Sequence, residues 1–325
     1  MIVEKAIGNY TDFRIPGMVA TEQGSLLRYC ECRESASDWA NIDIKIARSE
    51  DEGKTWQTVL LIKSGGCTLN NPVMFVDGER LVFLYCKNYK EIWKRVSEDD
   101  GKSFGEAERV DFESSVGFCY HVVAVGPGHG IVHNGRLLVP VWFAYNQENE
   151  QSHRPSFIST LYSDDRGATW KVGEIIFPDA LQNPSECALA VTAENEILIS
   201  IRHEGKLKKR ALAKSVNGIA DWRELCFEDH LPDPVCMGSM THQNGKIYHS
   251  NCHSVSDRKD LTVKISSDRF QTCTSIYVSE FGGYSDIALL GNKICIFYEK
   301  TIPSPSTLHP HARKPFELFF ETIEQ

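Results

Sequence analysis

The residue types in this sequence that could do chemistry are arginines, acidic residues and a tyrosine. They are spread over most of the chain: Arg14, Arg33, Asp38, Glu186, Arg202, Arg258 and Tyr284. Several guanidiniums around one point bind a carboxylate or phosphate through bidentate, permanently charged hydrogen bonds. A glutamate beside a tyrosine can take the phenol proton and make the tyrosine a nucleophile. An aspartate in a partly closed pocket can act as an acid if burial raises its pKa. Taken singly, each such residue is more often a surface ion pair or a strand residue.

These residues lie at similar distances along the chain from predicted hairpin turns, and this regularity favours a shared site. A strand that runs to a hairpin and returns places residues about eight to ten positions before and after the turn on one side, at about 3.3 Å per residue. Arg14 and Arg33 flank the turn at Gln23-Gly24, and Glu186 and Arg202 flank the turn at Glu194-Asn195. Asn70 and Tyr284 precede similar turns, while Asp38 and Arg258 fall in the loops that leave the returning strands. We therefore expect these side chains to meet at one mouth of the fold.

The strands and turns that position these side chains are predicted from a sequence repeat. Ser49-Glu-Asp-Glu-Gly-Lys-Thr-Trp56 recurs in near-identical form at residues 97 and 163, and in eroded form at 215 and 266. Six polar turns, each containing Gly or Asn, precede apolar runs that read as strands, and a period near fifty residues is typical of propellers. No stretch has helical periodicity. The sequence therefore predicts an all-β fold, a six-bladed β-propeller forming a single domain over residues 1–325, in which the octads are turns with no catalytic role.

Composition limits the partners. The net charge is −9, which argues against nucleic acid or an anionic membrane, and the basic run 206–210 is expected to be a solvated loop. No apolar stretch is long enough for membrane insertion, and the first residues do not resemble a signal peptide. Eleven cysteines without paired spacing suit reduced thiols, so we expect a cytoplasmic protein, or a secreted one if a leader has been trimmed. Neither a metal site nor a cofactor is indicated.

The sequence resembles the exo-α-sialidases (neuraminidases) over about residues 10 to 300. The octad resembles that family's Asp box, and Phe13-Arg-Ile-Pro-Gly17 resembles its FRIP motif. Glu31-Cys-Arg33 followed by Ser37-Asp-Trp-Ala40 is similar to the segment that carries the acid/base aspartate. Gly283-Tyr-Ser285, ahead of Ile296-Phe-Tyr-Glu299, resembles the nucleophile region. Cys187 and Met237 stand where the sialidase family pattern has other polar or small residues. This difference affects the prediction of the pocket for the substrate's side chains and not that of the catalytic residues.

The resemblance implies roles for ten residues. Arg14, Arg202 and Arg258 would bind the carboxylate of a terminal α-linked sialic acid. Tyr284 would be the nucleophile, with Glu186 as its base, and Asp38 would be the acid/base. Arg33 and Glu31 would contact the 4-hydroxyl, and Asn70 or Asn71 would face the acyl group. The expected partners are sialylated oligosaccharides or glycoconjugates, with retention of configuration.

Other functions stay open on the same fold. A sialic-acid-binding lectin needs only the arginines, whereas Tyr284, Glu186 and Asp38 together favour catalysis. An enzyme for the deaminated sugar, or a trans-sialidase with Trp39 as an acceptor platform, would share the same catalytic residues. The sequence leaves the linkage, the acyl group and the oligomeric state undecided.

Overall fold

The computed structural model describes residues 2–5, 7–113, 119–145, 149, 151–301 and 316–325. In these ranges the chain forms strands gathered into six small sheets, so the predicted all-β, six-bladed propeller is confirmed. No helix in the described ranges is long and apolar enough to cross a membrane.

Blades 1, 4 and 5 are plain four-stranded antiparallel sheets, each numbered here from its innermost strand. Blade 1 contains Asp12–Ala20, Leu26–Arg33, Ile42–Ser49 and Gln57–Ile62. Blade 4 contains Cys187–Val191, Ile197–Ile201, Lys209–Ser215 and Arg223–Pro232, and blade 5 contains Ser239–Gln243, Lys246–Cys252, Lys259–Ser266 and Thr274–Phe281.

Blades 2 and 3 are joined by short extra strands. Blade 2 contains Leu69–Asp77, Arg80–Lys87, Glu91–Ser97 and Glu108–Val110, with Gly128–His129 added in parallel to its innermost strand. In blade 3, Val122–Val125 and Ile131–His133 both pair with Arg136–Ala144, followed by Ser156–Ser163, Trp170–Val172 and the outermost Phe112–Glu113.

Blade 6 closes the ring by pairing the two ends of the chain. It contains Ser285–Leu290, Lys293–Thr301 and Phe316–Glu324, and the N-terminal strand Ile2–Glu4 adds antiparallel to the last of these. The innermost strands of blades 6 and 1 are also in contact. The first strand of the chain therefore supplies the outer edge of the last blade, which covers an edge that would otherwise be exposed.

Two kinds of turn set the register of every blade. All six predicted hairpins connect the first and second strands, and residues with positive φ occupy each of them, for example Gly24 at 87° and Asn195 at 63°. The octads connect the third and fourth strands of blades 1 to 5. In the first octad the Gly53 N–H donates to Ser49 Oγ at 2.8 Å. The fifth octad was expected to be eroded, yet Phe270 makes the same bond to Ser266 Oγ at 2.8 Å with a left-handed φ of 68°. The turn is preserved there because its serine and aspartate remain, although the glycine does not.

One buried carboxylate ties four parts of the ring together at the axis. Asp286, in the innermost strand of blade 6, accepts from the Met18 N–H of blade 1 at 2.8 Å and from Ser239 Oγ of blade 5 at 2.5 Å. His129, from the segment between blades 2 and 3, lies 2.8 Å away through its Nδ1. The short strand that carries His129 contacts the innermost strands of blades 1, 2 and 6, so it lies between them near the axis.

Candidate active site

All six blades contribute to one cavity of about 410 Å³ at one end of the propeller axis. Its lining includes, in order of blade, Arg14, Arg33, Asp38, Asn71, Tyr89, Trp142, His153, Asn183, Glu186, Arg202, Glu204, Arg258 and Tyr284. Most of these residues lie just before an innermost strand or just after the second strand of a blade. The hairpin spacing in the sequence had predicted this common side for seven of them: Arg14, Arg33, Asp38, Glu186, Arg202, Arg258 and Tyr284.

Three guanidiniums surround the ring of Tyr284. The central carbons of Arg14, Arg202 and Arg258 lie 4.9, 5.9 and 5.0 Å from its ring centroid. Arg14 and Arg202 each pair with a glutamate, whereas Arg258 makes no ion pair with any described residue. Three like charges this close repel one another unless an anion lies between them, so the cluster is suited to binding a carboxylate or a similar anion.

Tyr284 and Glu186 are directly hydrogen-bonded. The phenol donates to Glu186 Oε1 at 2.7 Å, and Arg202 Nη1 donates to the same phenol oxygen at 2.6 Å and also pairs with Glu186. Burial raises the pKa of Tyr284 well above its ordinary value, and the surrounding arginines only partly oppose this. The phenol is therefore neutral at physiological pH, with a base at hydrogen-bond distance and a cation positioned to stabilise the phenolate as it forms.

Glu299 holds both Arg14 and Tyr284 in place. Its carboxylate is fully buried and accepts from Arg14 Nε at 2.9 Å and Nη2 at 3.2 Å. It also accepts from the backbone N–H of Ile15 at 3.1 Å and of Tyr284 at 3.0 Å. Glu299 belongs to the segment Ile296-Phe-Tyr-Glu299 that resembles the nucleophile region, but the resemblance implied no role for it. Glu299 lies directly opposite Tyr284 in the strand pair, and its N–H donates to the Tyr284 carbonyl oxygen at 2.8 Å. The predicted hairpin at Gly291-Asn292 places the two residues opposite each other, and this was the signal in the sequence that could have identified Glu299.

Asp38 lies on the blade 1 side of the cavity, with 40% of its side chain exposed. Arg33 Nη1 donates to its Oδ1 at 2.7 Å, and the other side of the Arg33 guanidinium is held by Glu31. Burial alone raises the pKa of Asp38, but the ion pair with Arg33 outweighs burial, and the pKa lies below its ordinary value. The expectation that the pocket raises this pKa is therefore wrong, because the nearby cation stabilises the ionised form more than partial desolvation destabilises it.

Two predicted binding residues do not reach the cavity. Glu31 is completely buried behind Arg33 and accepts the Asn71 backbone N–H at 2.9 Å. Asn70 is also completely buried, and its amide donates to the Asp38 carbonyl oxygen at 3.2 Å. Both support the wall of the cavity from behind, and only Asn71 of the neighbouring pair lines it. The strand is irregular at this point, since Asn71 has a left-handed φ of 51° and the pairing with Arg80–Lys87 shifts register between Asn70 and Val73, so the directions of the two asparagines could not be read from regular strand alternation.

Sequence reasoning did not find the aromatic wall of the cavity. Tyr89 and Trp142 line it and are almost fully buried, and His153 packs against Trp142 with ring centroids 5.2 Å apart. Trp39 packs at a tilt against Tyr89 and His153, with ring centroids 4.9 and 5.8 Å away, so its ring is engaged in this cluster. Trp39, Tyr89 and His153 come from the loops of blades 1, 2 and 3, Trp142 comes from the strand Arg136–Ala144, and no local motif marks them.

The basic run 206–210 is not entirely a solvated loop. Its last residue, Arg210, is fully buried and pairs with Asp233 at 3.0 Å. Arg210 also donates to the carbonyl oxygens of Cys236 at 2.9 Å and Ser200 at 2.9 Å. It therefore braces the strand ends that carry the cavity residues of blades 4 and 5. The two departures noted in the sequence, Cys187 and Met237, are buried beside the cavity and do not line it.

Fold and cavity together define the class: a six-bladed β-propeller with octad turns and a cavity lined by three clustered arginines at one end of its axis. The chain belongs to the family of the BNR repeat-like domain, whose sequence model matches residues 29–288. It is 25% identical over 343 residues to a sialidase of Bacteroides fragilis. The alignment covers 90% of this chain and 61% of that protein. The predicted resemblance to sialidases is thereby confirmed.

Solved structures show the same fold. The Hadza microbial sialidase Hz136 superposes with a TM-score of 0.80 at 21% identity, covering 97% of this chain and 66% of that one. Trypanosoma rangeli sialidase in complex with 2,3-difluorosialic acid, described as a covalent intermediate, gives a TM-score of 0.72 at 19% identity. That match covers 98% of this chain and 56% of the Trypanosoma rangeli chain. The chain thus spans about three fifths of the length of the Bacteroides relative and somewhat more than half of the Trypanosoma rangeli protein.

Proposed function

We propose that this chain is a retaining exo-α-sialidase that hydrolyses terminal α-linked sialic acid from oligosaccharides and glycoconjugates. The observation that carries the proposal is the three-arginine cluster around Tyr284, whose phenol lies 2.7 Å from Glu186. A lectin would need the cluster but not the tyrosine and its base. The sialidases among the similar proteins support the same activity.

The charge of the substrate explains why a tyrosine is suited to this reaction. A sialic acid carries a carboxylate on its anomeric carbon, so an anionic aspartate or glutamate would be repelled as it approached. A neutral phenol avoids this repulsion, and sialidases with a tyrosine nucleophile are a known exception to the use of two carboxylates by glycosidases. In this site Arg14, Arg202 and Arg258 bind the carboxylate and so fix the anomeric carbon over Tyr284.

The first chemical step joins the sugar to the protein. The Tyr284 oxygen bonds to the anomeric carbon while Glu186 accepts the phenol proton, and Arg202 stabilises the phenolate that develops. The bond to the glycosidic oxygen breaks, and Asp38 gives that oxygen a proton. The lowered pKa of Asp38 favours its ionised form, so Asp38 must take up this proton before or as the glycan binds. A bound glycan favours uptake because it covers the exposed part of the Asp38 side chain and excludes water.

The second step releases the sugar. Asp38, now ionised, removes a proton from a water molecule that attacks the anomeric carbon, and Tyr284 leaves with the proton held by Glu186. Two successive inversions give overall retention of configuration. Arg33, directed by Glu31, and Asn71 line the same cavity and are the groups proposed to contact the ring substituents.

The test is turnover of a fluorogenic N-acetylneuraminide beside its deaminated analogue, with proton NMR of the first-formed sugar. We expect release of the fluorophore and the α anomer as initial product. A fluorogenic β-galactoside, which lacks the carboxylate, is the matched negative substrate. Binding of sialic acid without turnover would indicate the lectin, an initial β anomer would contradict the covalent mechanism, and turnover of the deaminated sugar alone would redefine the substrate.

A further inference from the structure

A second polar network lies at the rim of the cavity, between blades 3 and 4. It consists of Arg154, Asn183 and Glu204, all of which line the cavity. Arg154 Nε donates to Glu204 Oε1 at 2.6 Å, and the Asn183 amide donates to Glu204 Oε2 at 3.0 Å. The two chemical steps proposed for the enzyme use none of these three side chains.

The backbone holds this network beside the catalytic residues. The Glu204 N–H donates to the Gln182 carbonyl oxygen at 2.8 Å, which ties the loop after the second strand of blade 4 to the loop before its innermost strand. The same two segments are bonded again where the Arg202 N–H donates to the Glu186 carbonyl oxygen at 3.2 Å. Two backbone hydrogen bonds therefore set the position of Glu204 relative to Glu186.

Glu204 and Asn183 offer hydrogen bonds that suit neutral hydroxyls. The Glu204 side chain is 23% exposed, and among the described residues its Oε2 accepts only the bond from Asn183, so a second lone pair is available. The Asn183 carboxamide adds an oxygen acceptor and a second N–H. A carboxylate accepts a strong hydrogen bond from a hydroxyl but repels another carboxylate. The cavity therefore has one part for an anionic group, at the arginine cluster, and another for neutral polar groups, at Glu204.

The covalent structure of a sialic acid determines which of its groups can reach this rim. In the six-membered ring, C3 and C4 follow C2 on one side, the ring oxygen and C6 follow it on the other, and C5 lies opposite C2. With the C2 carboxylate at the arginine cluster and the 4-hydroxyl at Arg33 of blade 1, C5 faces the aromatic wall. C6 carries a three-carbon chain with three hydroxyls, and it then faces blades 3 and 4, where the rim network lies.

We propose that Glu204 and Asn183 bind the triol chain on C6 and make the enzyme selective for sialic acids in which this chain is complete and unsubstituted. Arg154 positions Glu204 by pairing with its Oε1. Loss of a hydrogen bond to a charged group weakens binding by about 10 to 100-fold, so a shortened chain should lower kcat/KM by a similar factor. This assignment deepens the proposed sialidase activity and rests on it, since the orientation of the sugar follows from the carboxylate at the arginine cluster.

The experiment compares two fluorogenic substrates that differ only in this chain. One is the N-acetylneuraminide, and the other is its analogue without C8 and C9, made by periodate cleavage of the vicinal diol followed by borohydride reduction. For the unaltered protein we expect kcat/KM to be about tenfold or more lower on the shortened analogue. Glu204→Ala should lose a similar factor on the complete substrate and little on the shortened one, so that the preference disappears. Asp229→Ala, the matched control, removes an exposed ion pair with Lys209 on the outermost strand of the same blade and should keep the full preference.

Equal kcat/KM on the two substrates in the unaltered protein would overturn the proposal, and this comparison needs no variant to fold. A folded Glu204→Ala that keeps the preference would also overturn it, and Asn183→Ala provides a second variant. If the unaltered protein turns over neither substrate, the proposed hydrolase activity fails, and calorimetry with the methyl α-glycosides of the two sugars tests the rim network separately. Binding of the complete sugar about tenfold more tightly would then support the assignment, whereas equal affinities, or no binding of either sugar, would overturn it.

Discussion

The Tyr284 hydroxyl donates to Glu186 Oε1 at 2.7 Å, although the two residues belong to different blades and are separated by 98 positions in the chain. Each lies immediately before the innermost strand of its blade, Glu186 before Cys187–Val191 and Tyr284 before Ser285–Leu290. Blade 5, between them, supplies Arg258. The contact therefore depends on the closure of the ring and not on any local segment.

Tyr284→Phe should abolish most of the activity while the protein stays folded. The substitution removes the phenol oxygen but keeps the ring beneath the three guanidiniums, so kcat should fall by at least about 10³-fold with a smaller change in substrate binding. The measurement is steady-state kinetics on an aryl sialoside, with circular dichroism for the fold. Tyr248→Phe is the control, because that hydroxyl bonds Gln325 away from the cavity. Full activity in Tyr284→Phe would exclude the tyrosine as nucleophile.

Asp38→Asn should lower kcat/KM most on substrates with poor leaving groups. An aryl leaving group departs with little protonation, whereas a natural glycan needs an acid, and a general acid contributes about 10² to 10⁴-fold. We expect kcat/KM to fall far more on a sialylated trisaccharide than on the aryl sialoside. Glu34→Gln, an exposed carboxylate on the same loop, should leave both rates unchanged. Equal losses on the two substrates would argue against the acid role.

The pH profile of turnover should reflect the lowered pKa of Asp38. Since Arg33 overcomes the effect of burial and keeps that pKa below its ordinary value, the protonated acid becomes scarcer as pH rises from the acid range. For the unaltered protein, kcat/KM on the trisaccharide should therefore decline toward neutral and alkaline pH, with a weaker decline on the aryl sialoside. A trisaccharide profile that rises with pH across the same range would contradict this assignment.

Glu299→Gln should weaken substrate binding and stability together. The substitution leaves Arg14 charged and buried without its ion-pair partner, and breaking such a pair costs about 3 to 5 kcal/mol. We expect KM to rise and the midpoint of urea unfolding to fall. Glu324→Gln, an exposed glutamate at the end of the same blade, is the control and should change neither. An unaltered KM in a folded Glu299→Gln variant would remove Glu299 from the positioning of Arg14.

Lys264→Met should stabilise the protein at neutral pH. Lys264 is 1% exposed, and burial lowers its pKa to about 8, while the unfolded chain retains an ordinary lysine pKa of 10.5. Between these values the unfolded state binds more protons, so the free energy of unfolding of the unaltered protein should rise by about 3 kcal/mol as pH increases from 8 to 10.5.

Lys264→Met should show the higher stability already at pH 7 and little rise over that window. Denaturant unfolding at several pH values checks this, with the exposed Lys246→Met as control. A pH dependence that is the same in the unaltered protein and in Lys264→Met would place the responsible group elsewhere.

The sequence by itself determined the number of blades and the side of the fold on which the site lies. Octads and hairpin turns are local signals, because Ser, Asp, Gly and Asn set backbone hydrogen bonds and positive φ within a few residues. Strand rise then fixes which residues lie near the same end, and this was sufficient to group Arg14, Glu186 and Tyr284.

Only the tertiary structure decided which of those residues face the cavity and what supports them. Glu31 and Asn70 have the right spacing but lie behind the wall, and the pKa of Asp38 is lowered because Arg33 is 2.7 Å away. Glu299 and the aromatic wall depend on contacts between distant parts of the chain that no local pattern records. The physical reason is that side-chain direction and electrostatic environment are set by neighbours distant in the sequence, whereas turns and strands are set by neighbours within it.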